Sequence, residues 1–282
     1  MEIREKILGE EHPDTATIYN NLAELYLSMG EHQKAEPLYL KALKIWEKVL
    51  GEEHPNTATI YNNLAGLYES MGEYQKAEPL YLKALKIREK VLGNEHPDTA
   101  TSYNNLAELY RIMGEYQKAE PLYLKALKIS EKVLGEEHPD TSTSYNNLAL
   151  FYKSMGEYQK AKPLYLKALK ISEKVFGEEH PDTATSYNNL AGLYDSMGKY
   201  QKAEPLYLKA LKVREEVLGE EHPSTATSYN NLATFYYGQE DYEKAYKFMK
   251  RAVEVFSKVL SEGHPNLIKV KGALEIIEEE ML

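Results

Sequence analysis

The sequence contains no cysteine, which excludes disulfide bonds and all thiol chemistry. No apolar run approaches the roughly 18 residues of a membrane-spanning helix, and the first residues lack the apolar core of a signal peptide. Positive charge is also in deficit, because the net charge is -10 and such a surface repels phosphate backbones. We therefore expect a cytoplasmic protein with no nucleic-acid partner and no membrane partner.

Aromatic residues other than tyrosine are few, with one Trp and five Phe against 24 Tyr, so tyrosine is used systematically. The reason is a repeat, which is most visible in a recurring His-Pro pair. Its histidines are 42 residues apart and include all but one of the eight in the chain: His12, His54, His96, His138, His180, His222 and His264. A fixed period of this length predicts an array of one small structural unit.

Each repeat reads as two helices. Pro13 suits the first helical turn, where its missing N–H would have no partner, and Gly30 is typical of a helix end. The second helix is predicted over residues 33–49, before Gly51, and no strand pattern occurs. Apolar residues fall on one face of each helix: Tyr19, Leu22, Ala23 and Tyr26 in the first, then Ala35, Leu38, Tyr39, Ala42 and Leu43 in the second.

These small and large residues resemble the signature of the tetratricopeptide (TPR) repeat, on the slots Tyr19, Leu22, Ala23, Tyr26, Ala35, Tyr39 and Ala42. The usual unit has about 34 residues. The longer period here is similar to the variant found in kinesin light chains and related bacterial and archaeal arrays. The resemblance implies an all-α solenoid of tandem helix-turn-helix hairpins in a right-handed superhelix. It also implies cytoplasmic binding of peptides or proteins.

We interpret residues 1–282 as a single TPR array. Residues 1–9 match the tail of a second helix and are interpreted as a truncated remnant, residues 10–261 as six units, and residues 262–282 as a C-terminal capping helix. In that last helix, Lys271, Glu275 and Glu278 replace apolar slots, which suits a face in solvent. The remnant cannot cover the face holding Ile18, Leu22 and Leu25, so we expect a weak homodimer through the truncated N-terminal end.

The residue types that could suggest an enzyme have simpler interpretations. One histidine per unit cannot supply three or four ligands to a metal ion, so capping of the loop is expected instead. Paired glutamates such as Glu52 and Glu53 lie in a polar loop and form a solvated acidic edge. No Gly-rich phosphate loop or nucleophile motif occurs. We expect no enzyme activity, no metal and no cofactor.

The candidate site is a polar stripe on the first helices, opposite the face of Tyr19 and Tyr26. In such a stack the first helices line the concave side, and a carboxamide can pair with both N–H and C=O of an extended peptide. The groove residues expected from this are Asn20, Asn62, Asn104, Asn146, Asn188 and Asn230, with Glu24, Glu108, Leu150, Arg111 and Lys153. The alternative is that one Asn of each pair, in the Asn21 series, bonds across helices.

Between copies, the buried slots barely change, whereas the slots of Glu24 and Leu27 vary. Variation on the concave stripe would set specificity, although a freely drifting exposed face would look the same. The slots used to grip a C-terminal carboxylate hold Thr17, Asn20 and Asn21 rather than cations, so that binding mode is not expected. The sequence thus predicts a scaffold that binds a protein or an extended peptide. The alternative is a passive structural or self-assembling array with no dedicated ligand.

Overall fold

The structure is a computed structural model that describes Gly9 and residues 11–282. These residues form two compact units, of which the first ends at Glu136 and the second extends over Glu137–Leu282. The first unit contains α1 (Pro13–Ser28), α2 (His32–Leu50), α3 (Pro55–Ser70), α4 (Tyr74–Val91), α5 (Pro97–Ile112) and α6 (Tyr116–Val133). The second contains α7 (Pro139–Ser154), α8 (Tyr158–Phe176), α9 (Pro181–Ser196), α10 (Tyr200–Leu218), α11 (Pro223–Tyr237), α12 (Tyr242–Val259) and α13 (Pro265–Glu280).

Every first helix begins in the same way, at a histidine followed by proline. The His12 imidazole accepts a hydrogen bond at Nδ1 from the backbone N–H of Asp14, over 3.2 Å, and thereby pairs one of the free N–H groups of α1. The other six His-Pro pairs do the same, over 3.1 or 3.2 Å. The predicted capping role of these histidines is therefore confirmed.

The glycines that follow the helices adopt a backbone conformation that other residues rarely reach. Gly30, after α1, has φ +72°, and Gly51, after α2, has φ +91°. A side chain at such an angle is strained, which explains why glycine recurs at both places with the repeat. The predicted helix ends are confirmed to within one or two residues.

The core uses small residues between helices and tyrosines in the wider gaps. Ala23 and Ala35 are fully buried, so α1 and α2 can approach closely. Tyrosine fills larger spaces and hydrogen-bonds its hydroxyl to a glutamate of the preceding hairpin, as Tyr68 does to Glu36 Oε1 over 2.7 Å. Burial and this carboxylate raise the pKa of Tyr68 to about 12. Such a partner lowers the cost of burying a phenol at this slot.

The hairpins pack in chain order, and this places the first helices beside one another. Within the first unit α1 contacts α3, and within the second α9 contacts both α7 and α11. Corresponding slots of neighbouring first helices therefore follow one another in rows. The predicted all-α architecture of tandem hairpins is confirmed within each unit, since every regular element of the described residues is a helix.

The ends of the chain bear on two predictions. Helix α13 buries Leu267, Val270 and Ile277 in the core of the second unit and leaves Glu275 and Glu278 exposed, which agrees with a solvent-facing side. The remnant proposed over residues 1–9 lies almost entirely outside the described residues, so the N-terminal homodimer stays a prediction. Among the described residues, no helix is both long and apolar enough to cross a bilayer.

Candidate functional site

The candidate site is the polar surface of the first helices, here called the stripe. It comprises the slots of Asn20, Asn21, Glu24 and Leu27 in each first helix. One stripe lies on α1, α3 and α5 of the first unit, and a second on α7, α9 and α11 of the other. Because these slots lie three or four residues apart, their side chains share one face of each helix.

Carboxamides of neighbouring first helices bind each other in both stripes. Asn63 donates from Nδ2 to the Oδ1 of Asn20 over 2.9 Å, one repeat earlier. Asn105 donates to Asn62 over 2.9 Å in the first unit, and Asn189 donates to Asn146 over 3.3 Å in the second. Three members of the Asn21 series, Asn63, Asn105 and Asn189, therefore bond across helices, as the alternative interpretation expected. Their acceptors belong to the Asn20 series, and these bonds are here called the amide ladder.

This ladder corrects the expectation that the Asn20 series is open to solvent. Asn20 and Asn188 are buried, each with 8% of its surface exposed. The other members are half-buried rather than exposed: Asn62, Asn104, Asn146 and Asn230. The correction has a physical reason, since the neighbouring first helix covers the side chain that a single helical wheel shows as outward. Whether these amides bind a peptide stays a prediction.

The first unit begins its stripe with a carboxylate held by amides. Glu24 accepts at Oε1 from Asn20 Nδ2 over 3.0 Å and from Asn63 Nδ2 over 2.7 Å. Its side chain is exposed, so it adds negative charge at the surface of the stripe.

Two further glutamates of the first stripe are bound from the second helices by tyrosines. Tyr81 donates its hydroxyl to Glu69 Oε2 over 3.0 Å, and Tyr123 donates to Glu108 Oε2 over 2.6 Å. Arg111 donates two hydrogen bonds to Glu108, from Nε to Oε2 over 2.8 Å and from Nη2 to Oε1 over 2.6 Å. The structure thus brings the predicted residues Glu108 and Arg111 together as a bidentate ion pair.

The pKa values of Glu69 and Glu108 are shifted in opposite directions. Burial raises the pKa of Glu69, against the hydrogen bond from Tyr81, and the nearby charge of Glu108 raises it further. Burial also acts to raise the pKa of Glu108, but the hydrogen bonds from Arg111 and Tyr123 outweigh it and the net pKa is lowered. A carboxylate with a bidentate guanidinium partner is stabilised in its charged form.

The second stripe has a different arrangement around the predicted residue Lys153. Its ammonium lies 2.9 Å from the position that a Cβ would take on Gly192, and the Tyr207 hydroxyl lies 3.3 Å from that position. Asp195 lies one turn further along α9, and its negative charge favours the charged form of Lys153. Burial lowers the pKa of Lys153 and raises that of Asp195, because both charged groups lose contact with water.

The remaining predicted residue of the second stripe is apolar. Leu150, on α7, has 39% of its surface exposed, and Thr234 occupies the same slot on α11. Thr234 bonds its hydroxyl to the backbone oxygen of Asn230 over 3.0 Å. The two stripes therefore differ in charge and polarity although their cores are nearly the same.

Sequence reasoning missed the tyrosines that reach the stripe. The helical spacing places their slot, that of Tyr39, on the apolar face of the second helix. The structure nevertheless places the hydroxyls of these three tyrosines beside residues of the stripe: Tyr81 beside Glu69, Tyr123 beside Glu108 and Tyr207 beside Gly192. A signal was available, because each glutamate stands 12 or 15 residues before the tyrosine that binds it.

A metal site would need a cluster of ligating side chains. In the part of the chain that the structure describes, no three His, Asp or Glu side chains come together as a ligand group.

Comparison with known proteins was made at the levels of sequence and structure. A family model for tetratricopeptide repeats matches residues 1–42, 14–90, 58–132, 98–171, 140–216, 196–258 and 224–281. No curated protein matches the sequence.

Several solved structures share the fold. BtubC (BKLC) from P. vanneervenii is 32% identical, with 70% of this chain and 79% of that chain covered and a TM-score of 0.59. Nearly identical TPR-like repeats of kinesin-light-chain type from Podosopora anserina are 31% identical, with 73% and 97% covered and a TM-score of 0.60. A Rap protein complexed with competence and sporulation factor is 16% identical over 94% of this chain and 75% of its own, with a TM-score of 0.65, and shows the fold alone. With the hairpins, the slots and these matches together, the chain belongs to the tetratricopeptide repeat family.

Proposed function

We propose that this protein is a binding scaffold that holds an extended segment of a partner protein along the stripes of its first helices. One observation carries the proposal: side chains on the stripe differ from copy to copy while the core beneath them is constant. The Glu24 slot reads Glu, Gly and Glu in the first unit and Leu, Gly and Thr in the second. A constant frame with variable surface residues suits recognition of different segments of one partner.

Carboxamide chemistry supports an extended peptide as the ligand. A carboxamide carries two N–H donors and an oxygen with two lone pairs, and the amide ladder uses only part of this capacity. Asn62 and Asn146 are half-buried, and each accepts one hydrogen bond from an asparagine of the next first helix. Their remaining donors can pair with backbone carbonyl groups of a bound segment, which gives affinity without reading its sequence.

The amide ladder also favours a second candidate function. Since Asn63 and Asn105 bond across helices, the pairs contribute to the stacking of hairpins whether or not a ligand exists. On this alternative the protein is a passive structural array. The two candidates differ in whether the variable slots matter to any binding.

The test uses a peptide array probed with the purified chain and two matched variants. Leu150→Lys changes an exposed leucine of the stripe, whereas Leu166→Lys changes a leucine on α8 with 41% exposure that lies outside the stripe. We expect saturable binding of some peptides, reduced at least tenfold by Leu150→Lys and unchanged by Leu166→Lys. Equal loss in both variants, or no saturable binding to any peptide, would contradict the proposal and favour the structural array. Circular dichroism of each variant checks that it remains folded.

A further inference from the structure

The second stripe contains a cation without a close anionic partner. Lys153 is half-buried, and among the described residues its ammonium takes part in no ion pair or hydrogen bond. Asp195 acts on it only through its charge at a greater distance. A cation withdrawn from water is costly unless a counter-ion approaches it, so the position favours an incoming anion.

The corresponding place in the first unit shows what a closed version looks like. There Glu108 fills the slot that Gly192 has in the second unit, and Arg111 and Tyr123 bind its carboxylate. Cation, phenol and carboxylate thus satisfy one another within the protein. In the second unit Tyr207 keeps the phenol and Gly192 leaves out the carboxylate. Asp195 occupies the slot of Arg111 on α9, so the cation comes instead from Lys153 on the preceding first helix, α7.

A second, independent feature lies one turn away on the same face of α9. Asn188 is buried, and its Nδ2 donates to Ser228 Oγ over 3.3 Å. Its Oδ1 is buried with no hydrogen-bond partner. An unpaired buried acceptor is unfavourable, so an N–H donor from a bound molecule would stabilise it.

We propose that Lys153, Asn188, Gly192 and Tyr207 form a carboxylate-binding subsite in the second unit. The Lys153 ammonium and the Tyr207 hydroxyl donate to a carboxylate of the bound segment, above the bare backbone of Gly192. The Asn188 Oδ1 accepts a backbone N–H of the same segment. This subsite rests on the proposed function and adds to it the chemistry that the partner must supply. The carboxylate belongs to an Asp or Glu side chain of the partner, since the slots that grip a C-terminal carboxylate hold no cations in this chain.

The experiment is a titration of the ¹⁵N-labelled full chain, followed by NMR at the Gly192 backbone amide and the Asn188 side-chain amide. Three short alanine-based peptides serve as probes. The first carries one Glu and has both termini blocked, the second carries Gln instead, and the third carries Gln with a free C-terminus. We expect saturable shifts with the Glu peptide and none with the blocked Gln peptide. The free-terminus peptide distinguishes a side-chain carboxylate from a terminal one.

Two variants with the same change of charge provide the control. Lys153→Met should weaken binding of the carboxylate peptide at least tenfold, whereas Lys170→Met, at an exposed lysine of α8, should change it less than twofold. Gly192→Glu should close the subsite, since it restores the carboxylate that the first unit has. Conversely, Glu108→Gly should release Arg111 and create carboxylate binding in the first unit.

The subsite is refuted if carboxylate and Gln peptides bind alike, if no carboxylate peptide gives saturable shifts, or if Lys153→Met has no effect. Because each variant's ¹⁵N spectrum reports its own folding, a misfolded variant is recognised, and Gly192→Glu and Glu108→Gly then test the subsite independently. If peptides bind the protein in a Leu150-dependent way but show no preference for carboxylates, the subsite is refuted and the proposed function is not. Absence of binding in both experiments would refute both.

Discussion

At the scale of single residues, asparagine in this protein serves packing as well as any ligand. A carboxamide between two helices is satisfied only when its neighbour is one repeat away in the correct register. Asn63 fulfils this by reaching both Asn20 and Glu24. Substitutions on the stripe therefore report on stability and on binding together, and the two effects have to be measured separately.

We predict that Asn63→Ala lowers the free energy of unfolding of the first unit by about 1–3 kcal/mol, because the buried Asn20 Oδ1 loses its donor. Urea denaturation followed by circular dichroism measures the change. Asn21→Ala is the matched control, since that side chain is exposed and only accepts one bond from Asn20. Equal, negligible effects of both substitutions would show that the ladder contributes no stability.

Glu69 and Glu108 of the first stripe give opposite predictions for pH. The folded pKa of Glu69 is raised, so its ionisation opposes folding above the usual range near 4.3, and this penalty disappears in acid. The folded pKa of Glu108 is lowered, so its charge favours folding above that range, and this contribution is lost as the pH falls through its folded pKa. Glu69→Gln should therefore stabilise the protein at pH 7, and Glu108→Gln should destabilise it.

Urea midpoints of both variants at pH 7 and near pH 3 check these signs, and both differences from the parent should shrink in acid. Since Gln can still accept the tyrosine hydroxyl, the comparison at position 69 isolates the charge. Glu108→Gln removes the charge together with one of the two hydrogen bonds from Arg111. Shifts in the same direction for both variants at pH 7 would contradict the assignment.

At the scale of helices, local sequence sets where each element begins and ends. The His-Pro pair supplies an acceptor for a free N–H and a residue whose missing N–H costs nothing in the first turn. The positive-φ glycines end the helices because they alone reach that conformation without strain. These devices act within a few residues, which is why the helices could be predicted from the sequence.

We predict that His54→Ala destabilises the protein by about 1 kcal/mol, because the N–H of Asn56 loses its acceptor at the start of α3. His54→Asn should recover most of the loss, since asparagine is a good N-cap. The control is His32→Ala, which affects the one histidine outside the His-Pro pairs. The cap would be judged unimportant if His54→Ala and His32→Ala gave the same urea midpoint.

At the scale of the whole molecule, the described chain forms two compact units whose hairpins pack in chain order. In such arrays each hairpin interacts mainly with the neighbouring hairpins, so the effect of a destabilising substitution stays local. Helix α13 completes the core of the second unit by burying Leu267 and Ile277. Its loss should therefore be felt in the adjacent helices rather than throughout.

We predict that Leu267→Ala costs about 2–5 kcal/mol locally, since this leucine is fully buried and the substitution leaves a cavity. Hydrogen exchange followed by mass spectrometry should show faster exchange in α11–α13 and no change in α3 or α4. Ile268→Ala is the control at the next residue, where 57% of the side chain is exposed. Faster exchange spread evenly over both units would contradict the nearest-neighbour description.

The sequence by itself determined the period, the two helices per repeat, their caps and the buried positions of residues such as Ala23 and Tyr19, because each depends on local backbone preferences and helical spacing. Only the tertiary structure decided which polar groups meet. Asn63 contacts Asn20, Tyr123 contacts Glu108, and Lys153 lies above Gly192 without a carboxylate. These pairings depend on the register and separation of neighbouring helices. Distances of a few ångströms then decide whether a charge is paired inside the protein or left for a partner.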